Sequence, residues 1–267
     1  MFDLQLYLSG LIAILIIVVA TWVLGTVKRD VSIVDSVWSI LFLVAGYVYI
    51  RRSEGPAPRD AWLLALVTIW AVRLAVYLTW RNWGEPEDHR YVKIRAANQP
   101  NFAFKSLFII FLLQGLLAWI VSLPLLAAAN SPQPLQALDY LAALVVLFGI
   151  WFEAIADAQL AKFKGNPANR GQVMDHGLWR YTRHPNYFGE FCVWWGFYLL
   201  AVAAGGWWSL PGPLLMSVLL LKVSGVTMLE KDIGERRPGY REYIQRTNTF
   251  FPGKPRAAPS GSSIRSP

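Results

Sequence analysis

Apolar runs of about 20 residues recur along the whole chain, and each is long enough to cross a hydrocarbon core about 30 Å thick. They fall near 5–27, 33–50, 61–80, 104–128, 136–161, 187–206 and 210–229. Within lipid every backbone N–H and C=O must be satisfied internally, so runs of this length fold as helices. The expected fold is therefore all-α: a polytopic membrane protein with seven transmembrane helices. Only 16% of its 267 residues are charged, where a soluble domain of this size carries about 25%. The first run is too long for a signal peptide, lacks a basic start and is followed by no small-residue cleavage site, so it reads as a retained helix.

Orientation follows from the basic residues. Lys28, Arg29, Arg81, Arg90, Lys93, Arg95, Lys105, Lys162, Lys164, Arg170, Arg180, Arg183 and eight more after residue 229 lie on one side, 20 of the 25 in all. Only Arg51, Arg52 and Arg59 lie on the other, while Arg73 and Lys222 fall within helices. The positive-inside rule puts the N-terminus outside and the C-terminus in the cytoplasm. The net charge of +8 thus tracks membrane topology and suits anionic headgroups; no nucleic acid is expected as a partner. The outer connections (NSPQPLQ and GGWWSLPGP) leave no room for a soluble domain. The single cysteine, Cys192, excludes a disulfide within the chain. Residues 1–254 read as one transmembrane domain, and the Pro/Ser/Gly-rich stretch 255–267 as a disordered tail.

An ionisable residue at membrane depth is costly, so each is a candidate for function. Asp35 shares a helical face with Ser32 and Ser39; it is either a substrate-facing carboxylate or an N-terminal dipole partner, a job that Asp30 suits better. Arg73, with Tyr77 one turn on, needs a buried anion: Asp35 or a phosphate. The connection GEPEDHRYVKIR at 84–95 is either a solvated loop or a site mouth lined by Arg90, Tyr91 and Arg95. Glu153 and Asp157 lie four apart on one helix, where like charges repel unless donors meet them. Lys162, Lys164 and Arg170 follow, as phosphate ligands or as topology signals.

The densest segment is GLWRYTRHPNYFGEFCVWWG at 177–196. Trp179, Arg180, Tyr181, Arg183 and His184 lead into Pro185 at the first turn of a helix. Asn186 and Glu190 then stack at i, i+4, with Trp194 a further turn along. Free N–H groups flanked by Arg and His suit an anion. An interfacial aromatic belt accounts for the Trp and Tyr residues but not for Asn186 and Glu190. Lys222 and Glu230 follow, then a basic, aromatic segment with Arg236, Arg237, Tyr240, Arg241 and Tyr243, suited to phosphate or to anionic lipid.

These residues resemble a known family. GLWRYTRHPNYFGE, then WWG, E-x5-RRPGYREY and FFP, together with A-D-x-Q-L-x-x-F-K at 156–164, D-x-S-I-V-D-S-V-W at 30–38 and E-D-x-R-Y at 87–91, resemble the steroid 5α-reductases, particularly the bacterial members. The resemblance implies a seven-helix reductase in the bacterial inner membrane, acting as a monomer. It would use NADPH to reduce the Δ4 double bond of 3-oxo-Δ4-steroids or related lipid enones. The substrate side would be mainly 1–130 and the NADPH side mainly 150–250. It implies a cofactor set of Asn186, Glu190, Asp157 and Lys164, to which the reading above adds Arg170, Trp179, Tyr181, Arg183, His184, Trp194, Glu230 and Tyr240. Asp35 would face the ketone. The eukaryotic members have Glu at that position and a Tyr three residues before the Arg that matches Arg73; Trp70 stands there in this chain, which leaves Tyr77 or Tyr91 as the hydroxyl. No metal site is expected.

The chemistry has its own logic. Hydride addition to the β-carbon of an enone builds charge on the carbonyl oxygen, and a donor aimed there in a dry site stabilises the enolate. A carboxyl donates only when protonated, which burial favours; the cofactor carries the hydride. A rival class, the membrane methyltransferases of the isoprenylcysteine and phospholipid type, shares R-H-P-x-Y-x-G and binds S-adenosylmethionine. Asp35, the A-D-x-Q-L segment and the Asn186–Glu190 pair favour the reductase. Spans 2, 3, 5, 6 and 7 each bring an ionisable residue to membrane depth, and are expected to surround one cytoplasm-facing cavity.

Overall fold

The computed structural model describes residues 2–51, 57–129, 131–223, 226, 230 and 239–256. Arg52, Arg236, Arg237 and the tail from 257 onward lie outside the described residues. Among the described residues there are helices and no strands. They are α1 (Leu4–Lys28), α2 (Ile33–Arg51), α3 (Asp60–Asn82), α4 (His89–Ala97), α5 (Phe102–Ser106), α6 (Leu113–Val121), α7 (Leu123–Ala128), α8 (Ala137–Gly165), α9 (Pro185–Ala203), α10 (Pro211–Val218) and α11 (Tyr240–Arg246). π-helical turns at Leu107–Leu112 and Leu219–Val223 continue α5 into α6 and extend α10.

Five helical stretches are long and apolar enough to span a bilayer: α1, α2, α3, Phe102–Ala128 and α8, of 25, 19, 23, 27 and 29 residues. The chain is thus a multi-pass membrane protein. The sequence predicts two more spans. α9 has 19 residues but opens on Pro185 and Asn186 and carries Glu190, and the apolar stretch Trp207–Val223 runs to the end of the continuously described residues.

Local chemistry sets the helix ends. Asp3 Oδ1 accepts from Leu6 N at 2.9 Å and opens α1. α1 closes on Arg29 in the left-handed region at φ 57°, with the N–H groups of Arg29 and Asp30 returned to the carbonyls of Thr26 and Gly25 at 3.2 and 2.9 Å. Asp30 then accepts from Ser32 N at 2.9 Å and from the Ser32 hydroxyl at 2.5 Å. Asp30 therefore takes the capping work ahead of α2, and Asp35 is left for something else.

The chain divides into two compact units, residues 1–146 with 194–215, and residues 147–193 with 216–267; the boundary runs through α8 and α9. In the first unit α2 packs against α1 and α3. Small residues let the helices approach: a Cβ at Gly10 would collide with the Tyr49 ring, and one at Gly115 would lie 3.0 Å from Val18. Tyr49 and Ser122 share a hydrogen bond of 2.9 Å in that core. At the start of α3 a buried ion pair ties Arg59 to Asp139 of α8: Nε to Oδ1 at 2.5 Å and Nη2 to Oδ2 at 2.9 Å, both side chains at zero exposure.

In the second unit α8 and α9 cross at backbone distance. A Cβ on Gly189 would lie 2.7 Å from the Glu153 Cβ, and one on Gly149 would lie 2.6 Å from the Gly189 carbonyl. That crossing sets Asn186 of α9 at the level of Asp157 of α8, because the helices run antiparallel. The returning segment 247–253 straps over the start of α9. Phe250 and Phe251 pack edge-on against Phe188 and Phe191, and Thr182 Oγ1 donates to the Phe250 carbonyl at 2.8 Å.

Candidate functional site

The polar residues gather in two clusters, one in each unit. In the first unit the loop before α4 folds back onto α2. Asp88 caps α4, accepting from Arg90 N at 2.9 Å, and also accepts from the Arg90 guanidinium at 3.0 and 3.1 Å. Held that way, Arg90 Nη2 donates to Asp35 Oδ2 at 2.8 Å. Tyr91 donates its hydroxyl to Asp35 Oδ1 at 2.6 Å and accepts from Gln114 Nε2 at 3.2 Å. Asp35 keeps 20% of its side chain exposed, so the group stays within reach of a ligand. Burial, followed by the Asp35 carboxylate, pushes the Tyr91 phenol up, so it stays protonated and remains a donor at any physiological pH.

A second clamp fixes that loop. Glu87 accepts from Arg95 at 2.6 and 2.9 Å and from Val31 N at 2.9 Å, while Arg95 reaches the Arg29 carbonyl at 3.1 Å. The E-D-x-R-Y stretch is thus spent on positioning: Glu87 and Asp88 brace, Arg90 and Tyr91 reach. Both Asp35 oxygens accept here, so the donors facing it are the Arg90 guanidinium and the Tyr91 hydroxyl. Tyr77 lies elsewhere on α3, against Trp80 and beneath Arg81 at 5.9 Å. Gln114 was not singled out in the sequence. It follows the π-helical turn at Leu107–Leu112 by two residues, and such turns are frequent at functional sites.

The second unit holds the other cluster. Arg183 spends all five N–H donors within the chain. Nε and Nη2 go to Glu230 at 2.7 and 2.9 Å, Nη2 also to Thr249 Oγ1 at 2.9 Å, and Nη1 to the carbonyls of Thr247 and Ile244 at 2.6 and 3.3 Å. His184 Nε2 and the Tyr240 hydroxyl meet Glu230 Oε1 at 2.9 and 3.2 Å. Arg183, His184, Tyr240 and Glu230 therefore form a brace between the RHP segment and the C-terminal strap. Burial alone would raise the Glu230 carboxyl, but hydrogen bonds from His184 and Arg183 outweigh it and hold the group at about 2.

That shift has a pH consequence. A carboxyl depressed from its ordinary 4.5 to about 2 contributes stability that is complete above pH 4.5 and is lost as the pH falls toward 2. Thermal midpoints of wild type and Glu230→Gln should differ by a constant amount above pH 5 and converge on acidification through that window.

Trp179 is buried with Phe163 and Met174, and its Nε1 donates to the Ala156 carbonyl at 3.1 Å, a packing role. Tyr181, Lys164 and Arg170 are exposed, whereas Asp157, Glu153 and Glu190 are buried and Asn186 half-buried. Buried carboxylates concentrated at one helix crossing suit a ligand rich in hydroxyl or amide donors. Trp194 belongs to the first unit, packed against Phe42 and Trp70. The second unit also has a half-open cleft of about 380 Å³ lined by Gln159, Lys162, Phe163, Asn166, Asn169, His176 and Gly177. At 100° per residue these α8 positions face away from Asp157 and Lys164, so the cleft is distinct from that set. Among the described residues no cluster could hold a metal ion.

Comparison with known proteins places these features in a lineage. A protein of Schizosaccharomyces pombe described as uncharacterized protein C594.04c is 27% identical over 288 aligned positions, covering 92% of this chain and 79% of that protein. No solved structure matches. The model of a family described as protein of unknown function (DUF1295) matches residues 21–247. That span holds Asp35, Tyr91, Asn186, Glu190 and Glu230, and the chain belongs to the DUF1295 family.

Proposed function

We propose that this chain is an NADPH-dependent reductase of lipophilic enones, of the 3-oxo-Δ4-steroid type, with seven membrane spans, the N-terminus outside and the C-terminus in the cytoplasm. The observation that carries the reading is the Tyr91 hydroxyl, held between Asp35 at 2.6 Å and Gln114 at 3.2 Å beside the Arg90 guanidinium. A protonated phenol is the donor an enolate oxygen needs, and its single O–H turns from Asp35 Oδ1 to that oxygen when the ketone binds. The Gln114 amide occupies one phenol lone pair, which aims the O–H away from it, and Arg90 adds positive charge where the oxygen becomes negative. Asp35 orients the phenol.

The residues of the second unit fit the cofactor. Asn186, Asp157 and Glu190 match the donors of a carboxamide and ribose, and the exposed Lys164 and Arg170 suit phosphates. Arg183, His184, Glu230 and Tyr240 hold the RHP helix start in place. The cofactor supplies the hydride. With the cofactor bound, its hydride would go to the β-carbon and Tyr91 would hold the enolate oxygen; a proton from water at the α-carbon would complete the saturated ketone.

The test is turnover and binding on the purified chain. NADPH absorbance should fall on addition of progesterone or testosterone, and NADPH should raise the thermal midpoint of the protein where S-adenosylmethionine does not. Stabilisation by S-adenosylmethionine alone, with no NADPH oxidation, would overturn the reading in favour of a methyltransferase.

A further inference from the structure

Two deeply buried indole N–H groups in the first unit lack a hydrogen-bond partner among the described residues. Trp70 and Trp194 are wholly buried, at zero exposure, and their Nε1 atoms have no hydrogen-bond partner among the described residues. Indole nitrogen is a donor only, and a buried tryptophan normally finds an acceptor. Buried Trp179 obeys that rule with the Ala156 carbonyl at 3.1 Å, and two half-buried indoles of the first unit are paired as well. Trp119 Nε1 donates to the Tyr7 carbonyl at 2.9 Å and Trp22 Nε1 to the Ala103 carbonyl at 2.8 Å. Small polar groups nearby are satisfied too, with Ser39 Oγ on the Ala71 carbonyl at 2.8 Å. At membrane depth there is no bulk water to take the place of a missing acceptor.

The two donors sit in an aromatic box. Trp70 and Trp194 are edge to face, with centroids 5.5 Å apart; Phe42 lies 5.7 Å from the first and 4.5 Å from the second, and Trp38 lies 5.2 Å from Phe42. The box is linked to the Asp35 cluster through α2. Asp35, Trp38 and Phe42 are at i, i+3 and i+7, on one helical face, and seven residues of helix rise about 10 Å. A rigid polycyclic molecule with one oxygen at Asp35 and Tyr91 lays its body along that face and brings its other end to the box.

We propose that the Trp38–Phe42–Trp70–Trp194 box receives the far end of the lipophilic ligand, and that this end carries a second hydrogen-bond acceptor taken by the indole N–H groups of Trp70 and Trp194. In this structure the rings close over both donors, so the acceptor reaches them only as the ligand parts the rings. The box then selects for an oxygen at both ends of the molecule and against a hydrocarbon end, because a ligand lacking the second oxygen leaves the donors buried and unpaired.

This rests on the reading that a lipophilic ketone binds at Asp35 and Tyr91, and deepens it by naming the substrate class. The test reads binding rather than turnover. The full chain in nanodiscs is titrated with progesterone and with the analogue lacking only the side-chain carbonyl oxygen, in wild type, Trp70→Phe and Trp194→Phe. Wild type should bind progesterone about tenfold tighter, equal to about 1.4 kcal/mol. In at least one Phe variant the ratio should fall toward one while the affinity for the analogue stays nearly constant. Equal affinities in wild type, no binding of either probe, or a ratio retained in both variants would overturn the proposal. If one variant fails to fold, the wild-type ratio and the other variant still decide. Absence of NADPH oxidation with a preserved ratio would sink the reductase reading and leave this one standing.

Discussion

Tyr91→Phe should lower turnover of an enone by about 10²- to 10³-fold, the cost of removing one donor from a developing oxyanion, while NADPH affinity stays nearly unchanged. The phenol is the only member of the Asp35 cluster that donates to a carboxylate and accepts from an amide at once. Phe keeps the ring, its packing and the cap of α4, so loss of rate without loss of thermal stability isolates the hydroxyl. Asp35→Asn keeps the shape but breaks the ion pair with Arg90, so it should lower the rate as well, again sparing the cofactor. Gln114→Leu removes only the amide that occupies the phenol lone pair and should reduce the rate less than either. A rate in Tyr91→Phe within twofold of wild type, measured by NADPH oxidation, would take the donor role away from this residue.

The largest stability effect is expected at Arg59 and Asp139. Asp139→Ala leaves a guanidinium at zero exposure without its bidentate partner, which should cost about 3–5 kcal/mol. Arg59→Met alone should cost a similar amount, for the converse reason. The double variant Arg59→Met, Asp139→Leu should recover most of the loss, because two apolar side chains of similar volume need no desolvation of charge. Reversible unfolding of the purified protein in mixed micelles would measure all three. If the double variant were as unstable as the singles, the pair would matter for more than its own burial.

Much of the candidate chemistry was legible in the sequence for one reason. Charges are so costly in hydrocarbon that each one kept there is conspicuous. Asp35, Asp157 and Glu190 stand out on that ground without any coordinates. Apolar length likewise marked the five long helices, while α9 opens on polar residues and the stretch Trp207–Val223 runs to the end of the continuously described residues. What the sequence left open were partners separated by long stretches of chain. Asp35 was offered Arg73, Tyr77 or Tyr91, and the choice of Tyr91 with Arg90 depends on a loop that Glu87, Asp88 and Arg95 fold back. Arg183 read as an anion ligand because Arg beside His at a helix start suggests one. Its five donors are instead spent on Glu230 and on carbonyls and a hydroxyl of the strap, 47 to 66 residues away.

By itself, then, the sequence determined that this chain is helical and crosses the membrane several times, and which residues are costly enough there to require a purpose. Hydropathy is a sum over neighbours in the chain, so it can be read locally. Tertiary structure alone decided which donor meets which acceptor: that Tyr91 is held by Asp35 and Gln114, that Arg183 braces Glu230, and that two tryptophan N–H groups have no partner among the described residues. A hydrogen bond requires an approach within about 3 Å and a direction, and no local property of the chain specifies either one.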